Sequence, residues 1–171
     1  MEKLSTNTGL PRSAREELER AVALYNQGRL VTANDICTEL LARFPSDVEL
    51  AHFGGVLANR MGRYDVAVQR LGACVRIDPR RARAQAALGL AEERLDHFED
   101  ARRAFAAAIE VDPGFAEAHN GLGVTLMRMG QPLQAVSCFE RATSLNPTSI
   151  ESRVNLARVL LETGRGAEAA E

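Results

Sequence analysis

The sequence has no tryptophan, one lysine (Lys3) and three cysteines, and aromatic residues make up only 5% of it. With so little aromatic bulk, a core has to come from aliphatic side chains and closely approaching backbones, which favours helices rich in alanine and leucine. Three cysteines, Cys37, Cys74 and Cys138, are an odd number without a C-x-x-C spacing, so they form neither a disulfide framework nor a zinc site, and a reducing compartment is expected. No apolar run approaches the roughly 18 residues of a membrane span. The opening MEKLSTNTGLPRS lacks the apolar stretch of a signal peptide, so a cytoplasmic location and no membrane partner are expected. An excess of one charge is missing too: 21 basic residues stand against 23 acidic ones, for a net charge of −2. With the basic residues dispersed, the chain is not read as a nucleic-acid binder. The near-absence of lysine itself carries no function.

Catalytic signatures are also lacking. Gly-Leu-Gly at 121–123 has no third glycine and follows no strand-like run, and there is no P-loop lysine, G-x-S-x-G or H-E-x-x-H. His52, His97 and His119 fall at three different places in the pattern described below and would not converge; they read as partner-facing, loop and packing residues respectively. The chain is therefore not read as an enzyme, and no metal or cofactor is expected.

What the sequence does have is a period. Of its 6 prolines, Pro45, Pro79, Pro113 and Pro147 recur every 34 residues, each after a residue that proline biases away from helical angles. In phase with them the chain divides into an N-terminal tail 1–13, units 14–47, 48–81, 82–115 and 116–149, and a partial unit 150–171. Position 8 of the units holds Ala21, Gly55, Gly89, Gly123 and Ala157, and position 20 holds Ala33, Ala67, Ala101, Ala135 and Ala169. These small columns are expected to face each other across a helical hairpin. Position 15 reads Gly28, Gly62, Asp96, Gly130 and Gly164, the signature of a left-handed turn after a helix. Larger, mostly apolar residues at position 17 (Leu30, Tyr64, Phe98), position 24 (Cys37, Leu71, Phe105, Phe139) and position 28 (Leu41, Val75, Ile109, Thr143) make the expected core. Ser13, Ser46 and Thr148, each three residues before a glutamate, read as helix N-caps. The cysteines sit at packing positions and read as inert.

These in-phase columns, with small residues also at position 27 (Cys74, Ala108, Ala142) and proline at position 32, resemble the tetratricopeptide repeat (TPR) over residues 14 to 171. Position 4 departs from the family, holding Glu17, Ala51, Gln85, His119 and Arg153 in place of tryptophan or tyrosine. The resemblance implies an all-α fold, an alpha-alpha superhelix (TPR solenoid) of stacked antiparallel helical hairpins whose first helices line a concave groove. Each hairpin needs its neighbours to bury its apolar faces. Glu17 and Arg20 read as a polar cap on the first unit. The last unit stops partway through a second helix, so either more sequence follows Glu171 or the exposed face docks on another chain.

The resemblance places positions 2, 5, 9, 12 and 13 in the groove. Position 9 is aliphatic (Val22, Val56, Leu90, Val124), and one helical turn on, position 13 carries Arg60, Arg94 and Arg128 after Asn26. Asn59, Arg83 and Asn120 complete the candidate site. An apolar stripe beside guanidinium groups suits a protein or peptide partner with apolar anchors and acidic side chains. The competing account is that these arginines merely complement helix dipoles and cover apolar surface with their stems. Some family members grip a C-terminal carboxylate through a lysine at position 5; here Leu18, His52, Ala86 and Asn120 stand there, so that mode is not expected. The leading functional expectation is a non-catalytic interaction scaffold. Two alternatives stand beside it: a substrate-recruiting region of a larger bacterial transferase, since NQGRLVTANDICTELLARFPSD resembles the repeats ahead of sulfotransferase or glycosyltransferase domains, and self-association through the C-terminal partial repeat.

Overall fold

Each glycine at position 15 is a left-handed turn in the computed structural model, which describes residues 9–164: φ is +78° at Gly28, +70° at Gly62, +71° at Gly130 and +77° at Gly164. Asp96 adopts the same hand with φ of +60°. Four of these turns close with one hydrogen bond of one length. The amides of Arg29, Arg63, His97 and Gln131 donate to the carbonyls of Leu24, Ala58, Glu92 and Leu126 at 2.9 Å, the six-to-one bond that ends a helix with a left-handed residue. At the other connections the residue before each proline leaves helical angles: φ is −134° at Phe44, −133° at Asp78, −136° at Asp112 and −136° at Asn146.

Between these breaks run nine helices among the described residues: α1 (Arg12–Asn26), α2 (Leu30–Arg43), α3 (Val48–Arg60), α4 (Tyr64–Ile77), α5 (Ala82–Arg94), α6 (Phe98–Val111), α7 (Ala116–Arg128), α8 (Pro132–Leu145) and α9 (Ile150–Glu162). No strand occurs among the described residues. The fold is all-α, built of stacked helical hairpins. The rest of the partial unit beyond Gly164, including Ala169 of the small column, lies outside the described residues, as do residues 1–8 of the expected tail.

The expected caps fall one residue early. Asp47, not Ser46, accepts the Leu50 amide at 2.9 Å, and Ser149, not Thr148, accepts the Ser152 amide at 3.2 Å. Ser13 lies inside α1, which follows Pro11 with no side-chain cap. The residue immediately before the first helical one does the capping.

The chain forms two compact units, helices α1–α4 and α5–α9. In the first, Leu18, Ala21 and Leu24 of α1 pack with Ala33, Cys37 and Leu40 of α2 and with Leu50, Phe53 and Leu57 of α3, all buried. Leu10, in the stretch read as a tail, is buried in this core as well. Tyr25 and Phe53 meet edge to face, centroids 5.8 Å apart. Glu17 of the expected cap is held by Arg43 Nη1, which donates to both carboxylate oxygens at 3.0 Å. Burial raises the Cys37 thiol to about 11 against a lowering by Arg70, and burial also raises Cys138, so both thiols are held in the unreactive protonated form.

In the second unit the two cores centre on phenyl rings. Phe105 packs among Ala86, Ala101, Ala108 and Ala118, and Phe139 among Leu126, Ala135, Val136, Val159 and Leu160. The glycines of position 8 lie directly against these position-24 side chains. A Cβ on Gly123 would sit 2.6 Å from Phe139 Cε1, one on Gly89 3.0 Å from Phe105 Cδ2, and in the first unit one on Gly55 2.3 Å from Leu71 Cγ. The bare backbone of the first helix is the seat for the large residue of the second. Gly121 presses on Phe105 from the opposite side, its absent Cβ 2.4 Å from Cε1, so the ring is held between α5 and α7 of consecutive hairpins.

Candidate functional site

Positions 9 and 13 recur one turn apart near the C-terminal ends of the first helices, and the structure puts them on partly open surface in each unit. In the first unit Val22 is buried, Val56 and Asn59 are half-buried, and Arg60 is exposed. The Arg60 guanidinium lies over the Tyr25 ring, 5.0 Å from its centroid, with Nη1 3.4 Å from the hydroxyl oxygen. In the second unit Leu90 is 40% exposed, Val124 is half-buried, and Arg83, Arg94 and Arg128 are exposed.

Asn120 does not line open surface. It is buried: its amide nitrogen donates to Glu151 Oε1 at 3.1 Å, and its oxygen accepts from Asn155 Nδ2 at 3.0 Å, both on α9. Leu18, His52 and Ala86, at position 5 of the first three units, are buried too. His52, expected to face a partner, is therefore an interior residue. His97 stands at the α5–α6 turn with Nδ1 2.8 Å from Glu92 Oε2, and His119 Nε2 lies 3.1 Å from the Pro113 carbonyl oxygen at the link.

The guanidinium row is engaged with partners that the sequence reading did not include. Arg128 Nη2 donates to Asp96 Oδ1 at 2.6 Å, its Nη1 lies 3.5 Å from Glu93 Oε1, and its plane covers the Phe98 ring at 4.9 Å. Arg94 Nε lies 3.4 Å from Glu93 Oε2. Glu93 thus places a carboxylate, its side chain only 9% exposed, between two arginines. Such a cluster neutralises much of the field that two free cations would project. Its partners are 32 and 35 residues from Arg128, one unit back, which hides them from any local inspection. A signal was nonetheless present, because Asp96 breaks the glycine column.

Among the described residues no group of three or more potential metal ligands converges, and no described helix is long and apolar enough to cross a membrane. The surface consists of an aliphatic strip, Leu90 with Val124, bordered by stacked and ion-paired guanidinium groups. Such a strip can bury apolar side chains of a partner while its rim donates hydrogen bonds.

Two family profiles described as tetratricopeptide repeat match the sequence, one over residues 116–149 and one over 87–128. Among solved structures, the fold is similar to a crystal structure of MamA protein, with TM-score 0.82 and 22% identity over 94% of this chain and 88% of that one. It is also similar to MamA 41-end from Desulfovibrio magneticus RS-1, with TM-score 0.83 and 18% identity over 95% and 92% of the two chains. A third is TTC0263, a thermophilic TPR protein in Thermus thermophilus, with TM-score 0.75 and 24% identity over 91% and 86%. No curated protein matches in sequence.

Proposed function

The chain carries tetratricopeptide repeats, and from that premise we propose that it is a non-catalytic scaffold that holds an extended protein segment against the open face of its first helices. The observation that supports the reading best is Leu90. It is a large aliphatic side chain left 40% exposed in mid-hairpin, followed one turn later by Arg94 and accompanied at the equivalent place of the next hairpin by Val124. In the first unit Val56 and Arg60 repeat the combination. A segment with aliphatic anchors and a few carboxylates fits this face, with apolar burial giving affinity and the guanidinium groups giving orientation.

The test is Leu90→Asp, which places a charge on the strip at a position that is not part of the core. Binding of a peptide library carrying Leu-x-x-Glu motifs, followed by shifts of backbone amide resonances on α5 and α7, is expected to fall about tenfold or more for this variant, with helicity unchanged. Equal binding by wild type and variant would dismiss the groove. Charge reversal at Arg94 and Arg128 is a poorer probe, because it strands the buried Glu93 carboxylate and destabilises the unit by itself.

A second reading, self-association, is favoured by α9, where Ile150, Val154 and Leu161 share one face and are 76%, 59% and 66% exposed. Val154→Glu would then shift a concentration-dependent light-scattering mass towards the monomer; a mass independent of concentration in the wild type would rule this reading out. A substrate-recruiting role beside a transferase domain would use the same face and make the same demand on Leu90.

A further inference from the structure

Arg94 and Arg128 occupy the same position in successive hairpins, yet their surroundings differ. Arg128 has a carboxylate of its own to bind, supplied by the one turn that departs from glycine. Asp96 takes the left-handed conformation, φ +60°, that glycine takes freely at Gly28, Gly62, Gly130 and Gly164. From there Oδ1 accepts from Arg128 Nη2 at 2.6 Å while the Phe98 ring supports the guanidinium from beneath at 4.9 Å. The Asp96 side chain is 67% exposed, so it fills no core and makes no cap; what it does is cover the cation. Arg94, with its side chain 56% exposed, lies 3.4 Å from the far oxygen of Glu93.

We propose that Asp96 is a specificity-determining residue of this face: its carboxylate stands where a partner's carboxylate would dock on Arg128. It acts as a built-in competitor that leaves Arg94 as the cation an incoming acidic segment meets. The functional meaning rests on the groove reading above, whereas the physical content, an Arg128 occupied by its own chain, does not. An acidic segment has to displace Asp96 before it gains Arg128, whereas a segment with a single carboxylate over Arg94 pays no such toll. The face thereby prefers sparse acidic spacing over dense acidic runs.

The experiment uses Asp96→Asn, which tolerates left-handed angles and removes the charge, and Asp96→Gly, which restores the column. Without ligand, at low ionic strength, phenylglyoxal modification of each arginine is followed by mass mapping. In the wild type Arg128 is expected to react more slowly than Arg94, and both variants to speed Arg128 by about two- to fivefold, the range of an exposed ion pair, with Arg94 unchanged. Salt at about 1 M should erase the difference. Identical Arg128 rates in the wild type and both variants overturn the proposal. The second arm compares an acetylated, amidated Leu-Glu-Glu-Leu peptide with its Leu-Gln-Gln-Leu counterpart. Both variants are expected to tighten the glutamyl peptide by a similar two- to fivefold and leave the glutaminyl one alone. A glutamyl affinity that is the same in wild type and variants also overturns the proposal. If neither peptide binds any form, the groove reading fails, while the modification rates still decide the state of Arg128.

Discussion

Gly121→Ala tests whether the bare helix backbone is there to seat a ring. In a helix interior glycine is less favourable than alanine by about 0.8–1.0 kcal/mol, so the substitution should stabilise wherever space allows. At Gly121 space does not allow it, since the new Cβ would lie 2.4 Å from Phe105 Cε1 and 2.5 Å from Cζ, well inside contact distance. The ring has little room to retreat, because its other edge lies against α5 at Gly89, where a Cβ would come within 3.0 Å of Cδ2 and Cε2. Overpacking of this kind costs about 1–3 kcal/mol, so the net expectation is a destabilisation of about 0–2 kcal/mol once the propensity gain is set against it. Gly72 in α4 is the internal control, because an added Cβ there meets Arg76 Nη1 at an ordinary 3.6 Å, and alanine is expected to stabilise by about 0.5–1 kcal/mol. Denaturant-dependent amide exchange, read on α6 and α7 for one substitution and on α4 for the other, separates the two units. In a Phe105→Leu background the penalty at Gly121 should shrink by about 1 kcal/mol, the signature of direct coupling. Equal stabilisation by both alanines, or additivity with Phe105→Leu, would refute the reasoning.

Asp47→Ala and Ser149→Ala are each expected to cost about 1 kcal/mol through loss of the cap on α3 or α9, while Ser46→Ala and Thr148→Ala change little; denaturation midpoints decide. Asp96→Gly relieves left-handed strain of about 1–2 kcal/mol and loses an exposed pair worth about 0–1 kcal/mol, so a small net gain in stability is expected, and a clear loss would contradict it. Asn120→Ala should cost about 1–3 kcal/mol because Asn155 and Glu151 lose their shared amide, with faster exchange on α9 as the readout. The folded Cys37 thiol, raised to about 11 from 9.0 by burial, contributes stability that is fully present below pH 9 and is lost as pH rises through 11. Removing it in Cys37→Ala should flatten the alkaline slope of the denaturation midpoint.

The period and the hairpin turns were legible because they depend on local chemistry. A proline recurring every 34 residues marks where a helix cannot continue, and a glycine at position 15 supplies a hand that other residues resist, so Gly28, Gly62, Gly130 and Gly164 announced their turns directly. The cap residues were misplaced by one because Ser46 and Asp47 are both good caps, as are Thr148 and Ser149, and only the start of the helix chooses between them. Position 5 misled for a different reason. Its residues, from Leu18 to Asn120, range from apolar to polar, and their shared burial is a property of the folded chain that no single side chain announces. The clamp on Arg128 was least legible, because Glu93 and Asp96 lie a whole unit away and pair with it only after the hairpins stack.

Arg60 over Tyr25, and Arg128 over Phe98 beside Asp96, share a direction: each arginine clasps the hairpin that precedes its own. A gene segment copied whole would therefore arrive carrying both its clasp and the catch for the next copy. Lineages can lengthen or shorten such a chain by tandem duplication and deletion without inventing a new joint.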